Sequence, residues 1–338
     1  MADHPVPTID ISPYLEGGEA DRDGVARAVD RACRETGFFA IVGHGVPEPM
    51  IDGLRREAVD FFALPEGEKR LVERPADRIS RGWNALRDRS LAYSLGKDTP
   101  PDLQESFAMG PVAVPDEPYY TCDRARAFFA ANIWPADRSG FRDSMEGYYR
   151  AMEGLSHTVM RIFARALGQE DGYFDDRIDR HSSSLRLIRY PGRTRDAEPG
   201  QRRAGEHHDY GSLTILRGDN LPGGLQVKLR RGGWIDVVRP EGGFICNIGD
   251  AMMRWTNHRW VSTLHRVGLP ESADSPDRIS IVFFHNPNYD AEIRCIAGDG
   301  EPARYPPCAF DSFYVEKLMR GSFGARQAPE TPAEARGV

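Results

Sequence analysis

The sequence of 338 residues has no apolar run near the ~18 residues that a membrane-spanning helix requires. Its first residues, Met1 to Pro7, contain no basic segment followed by an apolar one, so no secretory signal is read there and a cytoplasmic location is expected. Cysteine is scarce. The five, Cys33, Cys122, Cys246, Cys295 and Cys308, are odd in number, widely spaced and without a C-x-x-C pair. That pattern argues against a disulfide scaffold or a zinc ribbon and for reduced, mostly buried thiols. Charge of one sign is also lacking: the net charge is -7, with basic residues scattered among acids, as in Arg55-Arg56-Glu57. Neither nucleic acid nor an anionic membrane surface is an expected partner. No internal repeat is visible, and helical patterns do not alternate with strands, which excludes a doubly wound parallel sheet.

What is present is an ordinary globular composition, 40% apolar and 28% charged, enough to bury a sizeable core. One large domain is favoured over two, because β barrels with helical additions often reach this length. Residues 6–12 read as a short strand and 24–36 as a helix ended by Gly37. Residues 38–42, Phe-Phe-Ala-Ile-Val, read as a buried strand, and a second helix carries Ile51, Leu54, Ala58 and Phe61 on one face. The 78–118 segment is rich in Gly, Pro and Asp and reads as irregular structure that could cover a site. Residues 128–134 and 145–167 look helical. From residue 185 onward the pattern changes to short β runs, at 185–190, 212–216, 225–229, 234–238, 243–248, 261–267 and 279–285, punctuated by Gly pairs.

Within this β region lies Glu206-His207-His208-Asp209-Tyr210. Side chains alternate across a strand, so His207 and Asp209 share a face and His208 points away. His265 lies in a second strand-like run. Two histidines and a carboxylate on one side of a metal leave further positions open, an arrangement suited to non-haem Fe(II) chemistry. Alone, H-x-D with a distant His is equally compatible with structural histidines. A second pattern bears on the choice: in residues 278–284 period two places Arg278, Ser280, Val282 and Phe284 on one face. A guanidinium turned into a barrel needs an anion, which is either a ligand carboxylate or an internal Asp or Glu. Ser280 and the hydroxyl of Tyr190 are candidate further donors, Tyr190 being readable also as a core tyrosine. Arg186 shares a face with Tyr190, and Phe284 follows the Arg and Ser. Both are candidate substrate contacts, or else a structural ion pair and a core aromatic.

These motifs resemble the isopenicillin N synthase-like branch of the 2-oxoglutarate/Fe(II)-dependent oxygenases. The resemblance extends through Gly205 to Thr214, Asn247-Ile-Gly-Asp250, residues 254–257, 262–267 and 286–289, and at the N-terminus from Val6 through Gly37-Phe38-Phe39 to His44-Gly45-Val46. It implies a mixed α and β fold, a double-stranded β-helix (jelly roll) with flanking helices and a helical N-terminal region. The implied organisation is a single oxygenase domain over 1–323, comprising a mainly helical part (1–175), the jelly-roll core with the metal site (176–300) and a C-terminal helix (301–323), with a flexible tail at 324–338. It also implies His207, Asp209 and His265 as ligands of Fe(II), and Arg278, Ser280 and Tyr190 as the site of the co-substrate 2-oxoglutarate. The reaction implied consumes O2, converts 2-oxoglutarate to succinate and CO2, and hydroxylates, desaturates or cyclises a small organic molecule, in keeping with natural-product metabolism. Many plant members carry Asn where this chain has Ile188, two residues before Tyr190, so the side chain here offers no amide to the co-substrate. His44 and His208 fall outside the ligand pattern. Other readings are an iron oxidase that uses no 2-oxoglutarate, a zinc hydrolase with Glu206 as base, and a non-catalytic jelly-roll binding protein. Nothing in the sequence specifies the organic substrate or an oligomeric state.

Overall fold

A computed structural model of the chain describes residues 5–321 apart from 76–78, 89, 193–196, 222, 273–274 and 299. The expectation for the 324–338 tail lies outside the described residues. Among the described residues, twelve strands build the two main sheets, and Glu292–Ile293 pairs with Cys308–Ala309 apart from them. The first half of the chain contributes β1 (Thr8–Asp10), β2 (Phe38–Val42), β3 (Gly82–Asn84) and β4 (Glu105–Met109). The second half contributes β5 (Ser184–Tyr190), β6 (Ala204–His207), β7 (Leu213–Gly218), β8 (Leu225–Lys228), β9 (Trp234–Asp236), β10 (Phe244–Ile248), β11 (His265–Val267) and β12 (Arg278–His285). The large sheet has the order β1-β2-β10-β7-β12-β5-β4-β3 and the small one β6-β11-β8-β9. Only the β1–β2 pair among these is parallel.

Period two along the large sheet separates its faces. In β12, Ile279, Ile281 and Phe283 join the core that the helices cover, with Leu185 and Leu187 of β5 beside them. The alternate residues Arg278, Ser280, Val282 and Phe284 turn inward to a cavity. Strand β2 divides likewise, Phe39 and Ile41 facing the helices while Phe38 and Ala40 meet Leu225 and Val227 of the small sheet. The two sheets therefore face each other as a jelly roll. Helices α1 (Glu19–Glu35), α2 (Glu48–Phe62) and α3 (Ser139–Ala166) cover the outer face, each presenting an apolar stripe. Gly37 ends the α1 segment at φ +68, donating to Ala32 O; a Cβ there would lie 1.9 Å from Val261 O, so only glycine fits.

Three local expectations change. The 78–118 segment holds strands β3 and β4 and a short 3-10 helix, Leu91–Leu95. Strand β4 is buried at all five positions yet begins with Glu105, whose charge is matched by Lys69 at 2.7 Å and Arg189 at 2.5 Å. An interior carboxylate hides such a strand from an apolarity pattern. Helix at 128–134 is confined to Arg126–Phe129, because the Asn132 side chain takes up Gly110 N and the carbonyls of Gly110 and Pro111. The run at 261–267 is strand only from His265. Its first half is tied to the end of α1 through Val261 N to Cys33 O and Thr263 Oγ1 to Thr36 O.

Candidate active site

Strands β6 and β11 pair antiparallel with His265 opposite His207, which sets the two imidazoles side by side with ring centroids 4.3 Å apart. Asp209 reaches them differently from the strand alternation expected. Strand β6 ends at His207, and Asp209 lies two residues past it, its backbone carbonyl accepting from Asp250 N at 2.8 Å. Its Oδ1 stands 3.8 Å from His207 Nε2 and 3.7 Å from His265 Nε2. One ligand atom from each of the three residues lies within 4.8 Å of the others. The orientation of each donor is fixed from behind. His207 Nδ1 contacts Gly205 O at 2.7 Å and His265 Nδ1 contacts Thr263 O at 3.0 Å. A carbonyl can only accept, so both Nδ1 atoms carry the proton and both Nε2 lone pairs face the centre. The second oxygen of Asp209 accepts from Thr214 Oγ1 at 2.6 Å and Asn247 Nδ2 at 2.7 Å.

Electrostatics agree with a metal-binding protonation state. Burial, and then the neighbouring His265, hold the His207 imidazole well below its ordinary pKa. Burial pushes the Asp209 carboxyl upward, but the two imidazoles and the Asn247 and Thr214 hydrogen bonds outweigh it and keep the group ionised. His207 Nε2, His265 Nε2 and one Asp209 carboxylate oxygen thus converge on a point, which is a facial donor set.

The cavity beside this triad has a volume of about 170 Å³. Arg278, Ser280 and Tyr190 line it, and Ile188, Leu216 and Val282 contribute apolar wall. Arg278 is opposite Tyr190 in the β12–β5 register, and Ser280 is opposite Ile188. The Arg278 guanidinium is 5% exposed, donates to the main-chain oxygens of Asp219 and Leu221, and leaves Nε without a hydrogen-bond partner. Among the described residues it forms no ion pair. The carboxylate of the nearby Asp219 is bound instead by Arg55, at 2.8 and 3.0 Å. Thus the internal acid that would have neutralised Arg278 belongs to another arginine. Gly218 and Gly224 leave room for it: a Cβ on either would lie 2.8 or 3.0 Å from a guanidinium nitrogen.

Two family models match the chain: "non-haem dioxygenase in morphine synthesis N-terminal" over residues 6–137, and "2OG-Fe(II) oxygenase superfamily" over 182–287. A 2-oxoglutarate-Fe(II) type oxidoreductase, hxnY, of Emericella nidulans is 31% identical, covering 96% of this chain and 90% of its own length. The chain belongs to the 2-oxoglutarate/Fe(II)-dependent oxygenases. A validamycin A dioxygenase of Streptomyces hygroscopicus subsp. limoneus is 32% identical over 85% of this chain and 78% of its own length. In structure, a full-length Neurospora crassa protein in complex with alpha-KG and thymine matches with a TM-score of 0.80 and 31% identity, covering 93% of this chain and 96% of that one.

As an oxygenase of this family the protein uses Fe(II), 2-oxoglutarate and O2. The remaining expected residues fall as follows. Arg186 and Phe284 both line the cavity, the guanidinium 5.6 Å from the Phe284 ring centre. Ile188 lines it too, as an apolar wall in place of an amide. His208 borders the cavity with Nδ1 3.3 Å from Ser262 Oγ, away from the triad's convergence point. His44 is structural, bridging Gly242 O and Val46 N. Glu206 is bound by Lys97 and by Arg266 at 3.2 Å and lies outside the metal cavity, which removes the base that a zinc hydrolase would need.

Sequence reasoning missed Thr214, Asn247 and Arg203. Asn247 had a signal, being the one polar residue in Phe-Ile-Cys-Asn-Ile of β10. Arg203 had none, as it ends a polar loop. It is fully buried, with Nε and Nη2 on Pro191 O and Nη1 unpartnered. Burial, and then repulsion from Arg278, lower its pKa. A second guanidinium without an ion pair among the described residues therefore stands near the first.

Proposed function

We propose that His207 Nε2, Asp209 Oδ1 and His265 Nε2 hold the iron, and that Arg278 and Ser280 clamp the far carboxylate of 2-oxoglutarate, with Tyr190 beside it. The observation that carries this reading is Arg278: a buried guanidinium without a counter-ion among the described residues, lining the same cavity as a His–Asp–His cluster. Such a charge is strongly unfavourable alone and is satisfied by a carboxylate in bidentate contact. When bound, iron and 2-oxoglutarate supply the O2-derived oxidising power, with succinate and CO2 as products.

The chain's own residues do the rest. The Nδ1 contacts of the histidines and the two donors on Asp209 fix the donor set. Arg278 and Ser280 orient the co-substrate, and the walls of Ile188, Leu216 and Val282 limit water. Arg186 and Phe284 face the organic substrate, a small molecule whose unactivated C–H bond is hydroxylated, desaturated or cyclised. The names of the relatives support a role in secondary metabolism. No helix among the described residues is long and apolar enough to cross a membrane, and all five cysteines are free thiols, which supports a cytoplasmic setting. Neither nucleic acid nor membrane is a partner in this reading. We read 1–323 as one oxygenase domain, supported by the placement of β1 to β4 in the same sheet as β5, β7, β10 and β12.

Succinate release tests the assignment. In Arg278→Gln the 2-oxoglutarate concentration for half-maximal rate rises by about two orders of magnitude, the cost of leaving a carboxylate without its buried cation. An unchanged half-saturation in that variant contradicts it.

A further inference from the structure

The metal cavity does not end at Arg186. Along Ser184, Arg186, Asn286, Tyr314 and Leu318 it meets a second chamber of about 70 Å³. Three arginines line that chamber, Arg74, Arg81 and Arg186, with amide and hydroxyl side chains between them and, among the described residues, no Asp or Glu. In the larger cavity Asp209 is the only lining acid among the described residues, and it is turned to the metal ligands.

The arginines differ in their compensation. Arg74 is paired with Asp88 at 2.9 Å. Arg81 is 2% exposed and among the described residues forms no ion pair. It donates to three main-chain carbonyls, Nε to Ala130 O at 2.9 Å, Nη1 to Ser80 O at 2.8 Å and Nη2 to Phe128 O at 2.6 Å. These use three of the five N–H donors of a guanidinium and none of its charge. Ser80 also joins Arg81 to Arg186, since its Oγ accepts from Arg186 Nη2 at 2.8 Å. Two guanidinium groups thus converge on one serine, at the mouth between the chambers. The carbonyl dipoles around Arg81 satisfy three of its hydrogen bonds but leave its positive charge, in a buried position, without a counter-ion among the described residues.

We propose that the organic substrate carries a carboxylate, which seats in the side chamber against Arg186 and Arg81 while the rest of the molecule extends past Phe284 into the metal cavity. The chamber volume suits a group of that size, and the same positive charge disfavours a substrate with a cationic end there. This inference rests on the active-site reading above, in which Arg278 and not Arg186 holds 2-oxoglutarate.

The test is binding by the full chain, loaded with Mn(II) and saturated with 2-oxoglutarate so that Arg278 is occupied. Matched probes are titrated calorimetrically: phenylacetate, phenylacetamide and phenethylamine, then hexanoate, hexanamide and hexylamine. The carboxylate of a set binds about tenfold tighter than its amide, as for one charge-assisted hydrogen bond, and the amine binds weakest. Arg186→Gln erases that advantage and Arg186→Lys keeps part of it. Arg81 also ties its own segment to the Phe128–Ala130 turn, so the Arg186 variants carry the test, with their melting temperatures as the folding control. If 2-oxoglutarate binds and no carboxylate does, or the amides and amines bind as tightly, or the advantage survives Arg186→Gln, the inference is overturned alone. If 2-oxoglutarate itself does not bind, the active-site reading falls and the inference with it.

Discussion

In the proposed site Asp209 offers the metal one oxygen, because Thr214 and Asn247 occupy the other. Removing either donor frees the carboxylate to rotate. Thr214→Val and Asn247→Leu each weaken iron binding by roughly 10- to 100-fold, the usual cost of losing a partner behind a ligand; iron titration checks this, and unchanged affinity refutes it. Gly218 is the matching control on the co-substrate side. In Gly218→Ala the new Cβ would lie 2.8 Å from Arg278 Nη2, the movable end of a long side chain. The guanidinium shifts and the fold does not, so half-saturation by 2-oxoglutarate rises about tenfold while iron affinity and melting temperature hold. At this scale Arg278, Ser280, Val282 and Phe284 were legible, since period two fixes the face of any true strand. His207 and Asp209 were legible as a pair for a reason that holds only in part: the strand stops at His207, and the irregular chain just past it delivers the carboxylate. Thr214 and Arg203 were not legible, because a lone hydroxyl or guanidinium does not show in sequence which group it faces: Thr214 meets Asp209 five residues away and Arg203 meets Pro191 twelve away.

Strand β4 shows where element-level reading fails. Glu105 receives Lys69, the Trp83 indole N–H and Arg189, at 2.7, 2.8 and 2.5 Å, inside a fully buried strand. Glu105→Gln leaves two cations facing a neutral amide and destabilises the fold by about 3–5 kcal/mol, measurable by chemical denaturation; a loss under ~1 kcal/mol contradicts the account. No one-dimensional pattern reports this, as the charges meet from three elements. The C-terminal helix that the resemblance implied over 301–323 is, among the described residues, α4 (Phe310–Gly321). Its Tyr314 and Leu318 line both chambers, and Lys317 to Asp250 at 2.7 Å and Arg124 to Asp311 hold it there.

For the whole molecule, a β-rich second half was legible in the succession of short strands and Gly turns and the jelly roll through the family resemblance, whereas the enrolment of β1 to β4 into the large sheet was not. Partner choice between strands as far apart in sequence as β2 and β10, or β4 and β5, is decided by packing, not by local propensity. The assembled core also sets an acid limit. Burial, and then His181 and His157, hold the His285 imidazole well below its ordinary range, and burial does the same for His44. A lowered folded pKa means stability that is complete above the unfolded value near ~6.5 and is lost as pH falls toward the folded one. Asp219 and Asp311 follow lower down: burial raises each carboxyl, but Arg55 and Arg124 outweigh it, so their stabilisation is lost only below the usual carboxylate pKa of about 4. The melting temperature therefore declines from about pH 6.5 and more steeply below about pH 4, and His285→Gln flattens the first decline. A melting temperature constant between about pH 6.5 and 5 contradicts this. The central claim is that one cavity holds iron on His207, Asp209 and His265 and 2-oxoglutarate on Arg278. Anaerobic addition of 2-oxoglutarate to the Fe(II)-loaded protein, followed by metal-to-ligand charge-transfer absorbance, tests it most directly. The account predicts a saturable band that is lost with the iron in His265→Ala and needs far more 2-oxoglutarate in Arg278→Gln. Iron bound without any band, or a band that titrates identically in Arg278→Gln, would contradict it.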